Sequence, residues 1–253
     1  MDPSGRARMA QLGAKLMLAH AALVAEAREG RLTLPVLRSD PPILLRPTGD
    51  TVHLVGGSAG PLGGDQLRLD VTVRRNACLR LRSAAASVVL PGPTASSLHL
   101  TITIESGGHL DWRPEPAVSV AGGSHEQVVD VELQGDATME WTETVVLGRS
   151  GEPSGDWSSL MRVVRDGAVA VHQHLRVGPD HVGSDGPAVM DGRRVSAARL
   201  IVGSSARPDC VSVSDTGAWT RVGLASDIEQ TQVVSDSVAE IVALLDIGCT
   251  PAT

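Results

Sequence analysis

The sequence predicts an all-β protein. Three observations carry that reading. Short segments whose odd and even positions differ in polarity recur along most of the chain, each closed by a turn signal. The turns are marked by glycine, as in SGGH, QGDA, RDGA and AGGS. The apolar residues are almost all Val, Leu, Ile and Ala: there is no Phe or Tyr and only four Trp, and the β-branched share favours strands.

Taken in chain order, residues 6–29 are rich in Ala, Leu, Met and Glu, so propensity alone reads them as a helix. Alternation then places strands over 50–56, 66–74 and 77–83, over 97–106, 109–115 and 117–122, and over 126–135 and 137–148. It continues with 159–167, 168–178, 196–204 and 209–215. In LHLTITIE, Leu98, Leu100, Ile102 and Ile104 share one face and His99, Thr101 and Thr103 the other, so the first set should be core. RDGA between MRVV and VAVHQHLRV reads as a tight hairpin. A helix is expected over 236–247, with Ser237 as its cap, Glu240 three residues on and Gly248 as its stop. No repeat of solenoid period is visible. The stretches 91–97 and 149–156 read as loops within a single domain spanning 1–253, not as linkers.

Composition excludes several function classes. The net charge is −7 and Lys15 is the only lysine, which argues against a polyanion partner, and so few aromatics leave little to stack on bases. Nucleic acid is not an expected partner. No apolar run is long enough to cross a bilayer. LMLAHAALVAEA follows Arg6, Arg8 and Lys15 in loose imitation of a signal peptide, but His20 interrupts it and Glu26 and Arg28 close it. Cys78, Cys210 and Cys249 are odd in number, far apart and outside any CxxC, so they read as free thiols of a cytoplasmic protein. The sequence contains no GxSxG elbow, HExxH, P-loop or helix-opening GxGxxG, so catalysis is not expected.

Certain polar residues stand out. Asp65 follows Gly63 and Gly64 at the mouth of a strand. It can cap the turn by accepting backbone N–H bonds, or line a polar passage for a hydrated divalent ion. Glu140 and Glu143 lie three apart on one strand and so face opposite sides; Glu143 shares the side of Trp141. Glu115 is framed by Pro114 and Pro116, which marks a bend or an edge. His172 and His174 form an H-x-H with both rings on one face. That spacing suits a solvated pair, or a nickel or zinc site in a metal-dependent β-sandwich hydrolase.

The stretches GPLGGDQL, LRLRSAAASVVLPG, GGHLDWRPEPAVSVAGGSHEQVVDVEL and ETVVLGRSGEPSGDWSSLMRVVRDG stand in the order and spacing of the urease accessory family UreD, also called UreH. The chain resembles that family best over its central part, 50–178. The resemblance implies a β-rich, two-layer fold of helically wound sheets with one or two short helices, and makes 16–38 a strand and hairpin rather than a helix. It implies a non-catalytic scaffold that binds apo-urease, together with UreF-like and UreG-like partners, for nickel insertion. No cofactor would be held permanently; nickel would be carried transiently, with Asp65, Glu140 and Glu143 as candidates for its passage. Gly63, Gly64, Glu115 and Arg149 would serve structure or partner contact, Arg149 also pairing with Glu143. Ser83 and Ser87 stand where the family usually has larger polar side chains.

Overall fold

A computed structural model describes residues 16–246. The described strands are β1 (Leu18–Arg28), β2 (Arg31–Arg38), β3 (Ile43–Thr48), β4 (Thr51–Gly56), β5 (Gln66–Val73) and β6 (Cys78–Ser83). They continue with β7 (Ser87–Val89), β8 (Ser96–Ile104), β9 (His109–Arg113), β10 (Ala117–Ser119), β11 (Ser124–Leu133) and β12 (Thr138–Leu147). The last are β13 (Asp156–Arg165), β14 (Ala168–Val177), β15 (Val195–Val202), β16 (Cys210–Val213), β17 (Gly217–Ala225) and β18 (Ile228–Ser235), and helix α1 (Val238–Asp246) follows. The protein is mainly β, in two facing sheets. One has seven strands in the order β14-β13-β11-β8-β5-β1-β2; the other runs β16-β17-β18-β15-β12-β9-β6-β4-β3, with the short pair β7 and β10 attached at β12.

Between β4 and β13 the chain alternates sheets, and each circuit adds one parallel strand to each. Gln66, Ser97, Glu126 and Ser158 are register partners across β5, β8, β11 and β13, so successive turns take 31, 29 and 32 residues. This is a coil without a sequence repeat. What recurs is the inward parity: Leu69, Leu100, Val129 and Met161 stack in line and are all buried. The corners recur too. Glu105 accepts the Arg75 N–H at 3.0 Å, Asp136 the Gly107 N–H at 2.7 Å, and Asp166 the Gly135 N–H at 2.8 Å. Each acid thus satisfies a backbone donor of the preceding corner.

All twelve strands read from alternation are present, their ends displaced by up to three residues. Leu100, Ile102 and Ile104 are core and Leu98 is partly buried against it. Asp166 and Gly167 form the two-residue hairpin loop, both with positive φ, as a type I′ turn requires. In α1, Ser237 Oγ accepts the Ala239 N–H at 3.2 Å, and Ile241 and Leu245 dock on Trp219 and Val233. Glu240 does not close a capping box; it accepts from the Ser235 hydroxyl.

Three expectations are corrected. Helical propensity over 6–29 fails where the structure describes it: β1 occupies 18–28, with Ala19, Ala21, Leu23 and Ala25 inward between β2 and β5. Tertiary pairing overrides a weak local preference there; residues 6–15 lie outside the described part. β3, β7, β17 and β18 escape the alternation test. In β17 and β18 the buried parity carries Arg221, Glu229 and Thr231, which blurs the pattern. Finally, Cys78 is a free exposed thiol but Cys210 is disulfide-bonded, against the reading of free thiols; Cys249 lies outside the described residues.

Candidate functional site

The GGD turn is built by close approach. A Cβ on Gly63 would lie 2.5 Å from both Cα and N of Gly92, and one on Gly64, whose φ is +98°, would lie 2.4 Å from Leu16 Cδ2. Backbone therefore packs on backbone where 60–65 meets 90–95, helped by Gly63 N–H to Leu90 O at 3.0 Å. Gly63→Ala is expected to destabilise the protein by about 1–3 kcal/mol, because a backbone neighbour cannot rotate away; a thermal melt checks it.

Asp65 is wholly buried. Its Oδ1 accepts the Met17 N–H and its Oδ2 the Leu62 N–H, both at 2.9 Å. The carboxylate thus fastens the residues leading into β1 to the turn before β5. Of the two readings of Asp65, this geometry is that of the turn cap.

Beside this turn, between the sheets, lies a cavity of about 690 Å³. Its walls are mostly apolar, from Ile43, Leu54, Val88, Leu90, Leu98 and Trp112. Its polar side comes from His125 and Gln127 of β11 and Glu143 and Thr144 of β12, with Trp157 of β13 beside them. Glu115, Arg149, Ser83 and Ser87 also line it. Ser83 Oγ accepts the Glu115 N–H at 2.8 Å, which holds the proline-framed bend.

Glu143 points inward with Trp141, and Trp141 stacks on Trp112 at a centroid distance of 4.8 Å. Glu143 Oε2 accepts from Gln127 Nε2 at 2.6 Å and Ser159 Oγ at 2.9 Å. Burial pushes its carboxyl above the usual range, against these donors and the nearby Trp157 N–H. That indole nitrogen is close enough to act on the charge but makes no hydrogen bond of its own. The expected pairing with Arg149 is not formed. Arg149 is exposed on the cavity lining, and its Nε lies 3.9 Å from Glu152 instead.

Glu140 faces the other side of β12 and is not on the cavity wall. Its Oε1 lies 2.5 Å from Arg113 Nη2 and 2.6 Å from Arg199 Nη2, ion pairs whose angles miss hydrogen-bond geometry. Beside it, burial opposes ionisation of Asp111, but Arg82 and Arg113 outweigh it and hold that carboxyl low. His172 and His174 are exposed on β14; His174 Nε2 sits 2.9 Å from Ser158 Oγ and accepts from Arg176 Nε at 3.1 Å. Among the described residues, no three His, Cys, Asp or Glu side chains are gathered to hold a metal ion.

His125 is the cavity residue that sequence reasoning passed over. It is buried, stacks on Trp157 at 5.0 Å, and its Nδ1 lies 2.8 Å from Ser96 Oγ. Burial pushes the imidazole down to about 4. The signal was parity: His125 and Gln127 continue the inward series Val129, Val131, Leu133, and Ser159 that of Met161 and Val163. Polar side chains on an apolar parity mark a lined cavity. Between pH 6.5 and about 4 the unfolded chain protonates at this histidine and the folded chain does not. Stability should therefore fall with pH across that window, by up to about 3 kcal/mol. Raised Glu143 acts oppositely, removing stability as pH climbs above the ordinary glutamate range. Urea melts of the protein and of His125→Gln, which should lose the acid-side slope, check the assignment.

A family model described as UreD urease accessory protein matches residues 17–242. The chain belongs to the UreD family. A urease accessory protein UreD of Frankia alni is 38% identical over 232 residues, covering 75% of this chain and 78% of that protein. The UreD of Streptomyces coelicolor is 32% identical over 227 residues, covering 86% and 89%. Among the described residues of this UreD-family chain, no helix is long and apolar enough to cross a membrane.

Proposed function

We propose that this chain is a non-catalytic cytoplasmic scaffold for urease maturation, binding apo-urease together with UreF-like and UreG-like partners while nickel is inserted. The observation that supports a part in metal handling is the inter-sheet cavity, with Glu143 as the carboxylate on its deep polar side. Nickel is here the cargo, held briefly. An oxygen ligand backed by an amide and a hydroxyl grips it weakly and lets it go, where thiolates would trap it. Asp65 and Glu140 are assigned positioning roles instead: Asp65 has both oxygens on backbone N–H groups, and Glu140 sits between two arginines. Glu115 and Arg149, at the exposed side of the cavity, are assigned to partner contact.

The test is urease co-expressed with its other accessory proteins, with and without this chain, followed by measurement of nickel per urease active site. The expected result is near-empty urease without the chain. Full nickel in its absence would overturn the scaffold role. Co-purification of this chain with urease or the accessory partners is read separately, so that loss of binding and loss of metal transfer are told apart.

A further inference from the structure

The main paths of the two sheets end in four strands, β14 and β2 in one and β16 and β3 in the other, while β7, three residues long, ends the side branch. Three are guarded against further pairing. β2 carries Pro35, β3 carries Pro47, and β16 is four residues long. β14 runs ten residues without a proline, and its outer ladder has no strand partner among the described residues.

The two sides of that edge differ in chemistry. On the inner side the larger sheet overhangs: Gln230 of β18 donates to Gln173 of β14 at 2.6 Å. Farther out on the same face stand Val222, Val211 and Val213, with relative exposures of 38%, 71% and 75%. On the outer side Arg162 and Arg176 lie exposed among His172 and His174. Neither arginine makes an ion pair among the described residues. Asp130, the register neighbour of Arg162, is engaged by His99 at 2.9 Å.

We propose that β14 accepts an added strand from a partner protein, an extended segment with apolar side chains on one face and acidic side chains on the other. Its apolar face packs beneath the three valines and its acids meet Arg162 and Arg176, while its backbone completes the ladder. A second copy of this chain fits badly, because antiparallel pairing of β14 with itself sets the same cationic face against itself. The inference does not rest on the nickel reading.

The full chain is titrated with a labelled eight-residue peptide alternating Val and Glu, and with its Val/Lys counterpart, while amide exchange is followed along β14. The Val/Glu peptide is expected to bind and slow exchange over 168–177. The Val/Lys peptide should bind roughly tenfold more weakly, and Arg162→Glu with Arg176→Glu should reverse that order, as two exposed charge pairs allow. Absence of protection on β14 with both peptides overturns the proposal, as does a double variant that keeps the wild-type preference. Protection of β14 by self-association without peptide overturns it too, by naming the second copy as occupant.

Discussion

Asp65→Ala is expected to lower stability by about 3–5 kcal/mol, since two backbone donors to a buried carboxylate lose their acceptor at once. Met17 and Leu62 would keep their N–H groups in a site closed to water, with nothing to receive them. For a chain of this size that is a fall of roughly 10 °C in melting temperature. Asp65→Asn should fall less, because its amide still accepts one of the two bonds. Nickel content of co-expressed urease should then track the amount of folded protein. An Asp65→Ala protein that melts like the wild type yet leaves urease empty would return Asp65 to the carboxylates available to an ion.

The second large effect is expected at Glu143. Glu143→Gln keeps the shape and an oxygen for Gln127 and Ser159, but removes the charge. Since burial disfavours that charge, stability should hold or rise. The cavity would lose its deep anion, and nickel per urease site should drop about tenfold, on the scale of losing one supporting group at a metal site. Melting and nickel content measured on the same preparations separate the residues. Asp65→Ala should change both, whereas Glu143→Gln should change nickel alone. A Glu143→Gln protein that fills urease normally would remove the carboxylate from the path.

These two acids also mark where sequence reading ran out. Asp65 and Glu143 were both singled out, the first by its glycines and the second by sharing a side with Trp141. Their different fates rest on distant residues. Asp65 is occupied by Met17, 48 positions away, and Glu143 by Gln127 and Ser159, each 16 away on strands of the facing sheet. Local spacing carries no trace of either contact. Arg149 misled for the opposite reason: it is near Glu143 in sequence and lines the same cavity, but its guanidinium lies by Glu152.

The fold class, the twelve alternating strands and the Asp166–Gly167 hairpin follow from the sequence alone. Each depends on a period-2 pattern or a turn preference that a few neighbouring residues satisfy. The family's residues in order were legible as well. The tertiary structure alone decided that β1 pairs in parallel with β5, that turns of 29–32 residues stack without a repeat, and that His125 lines a cavity. The physical reason is common to all three: a strand gains its hydrogen bonds, and a cavity its walls, from segments tens of residues away.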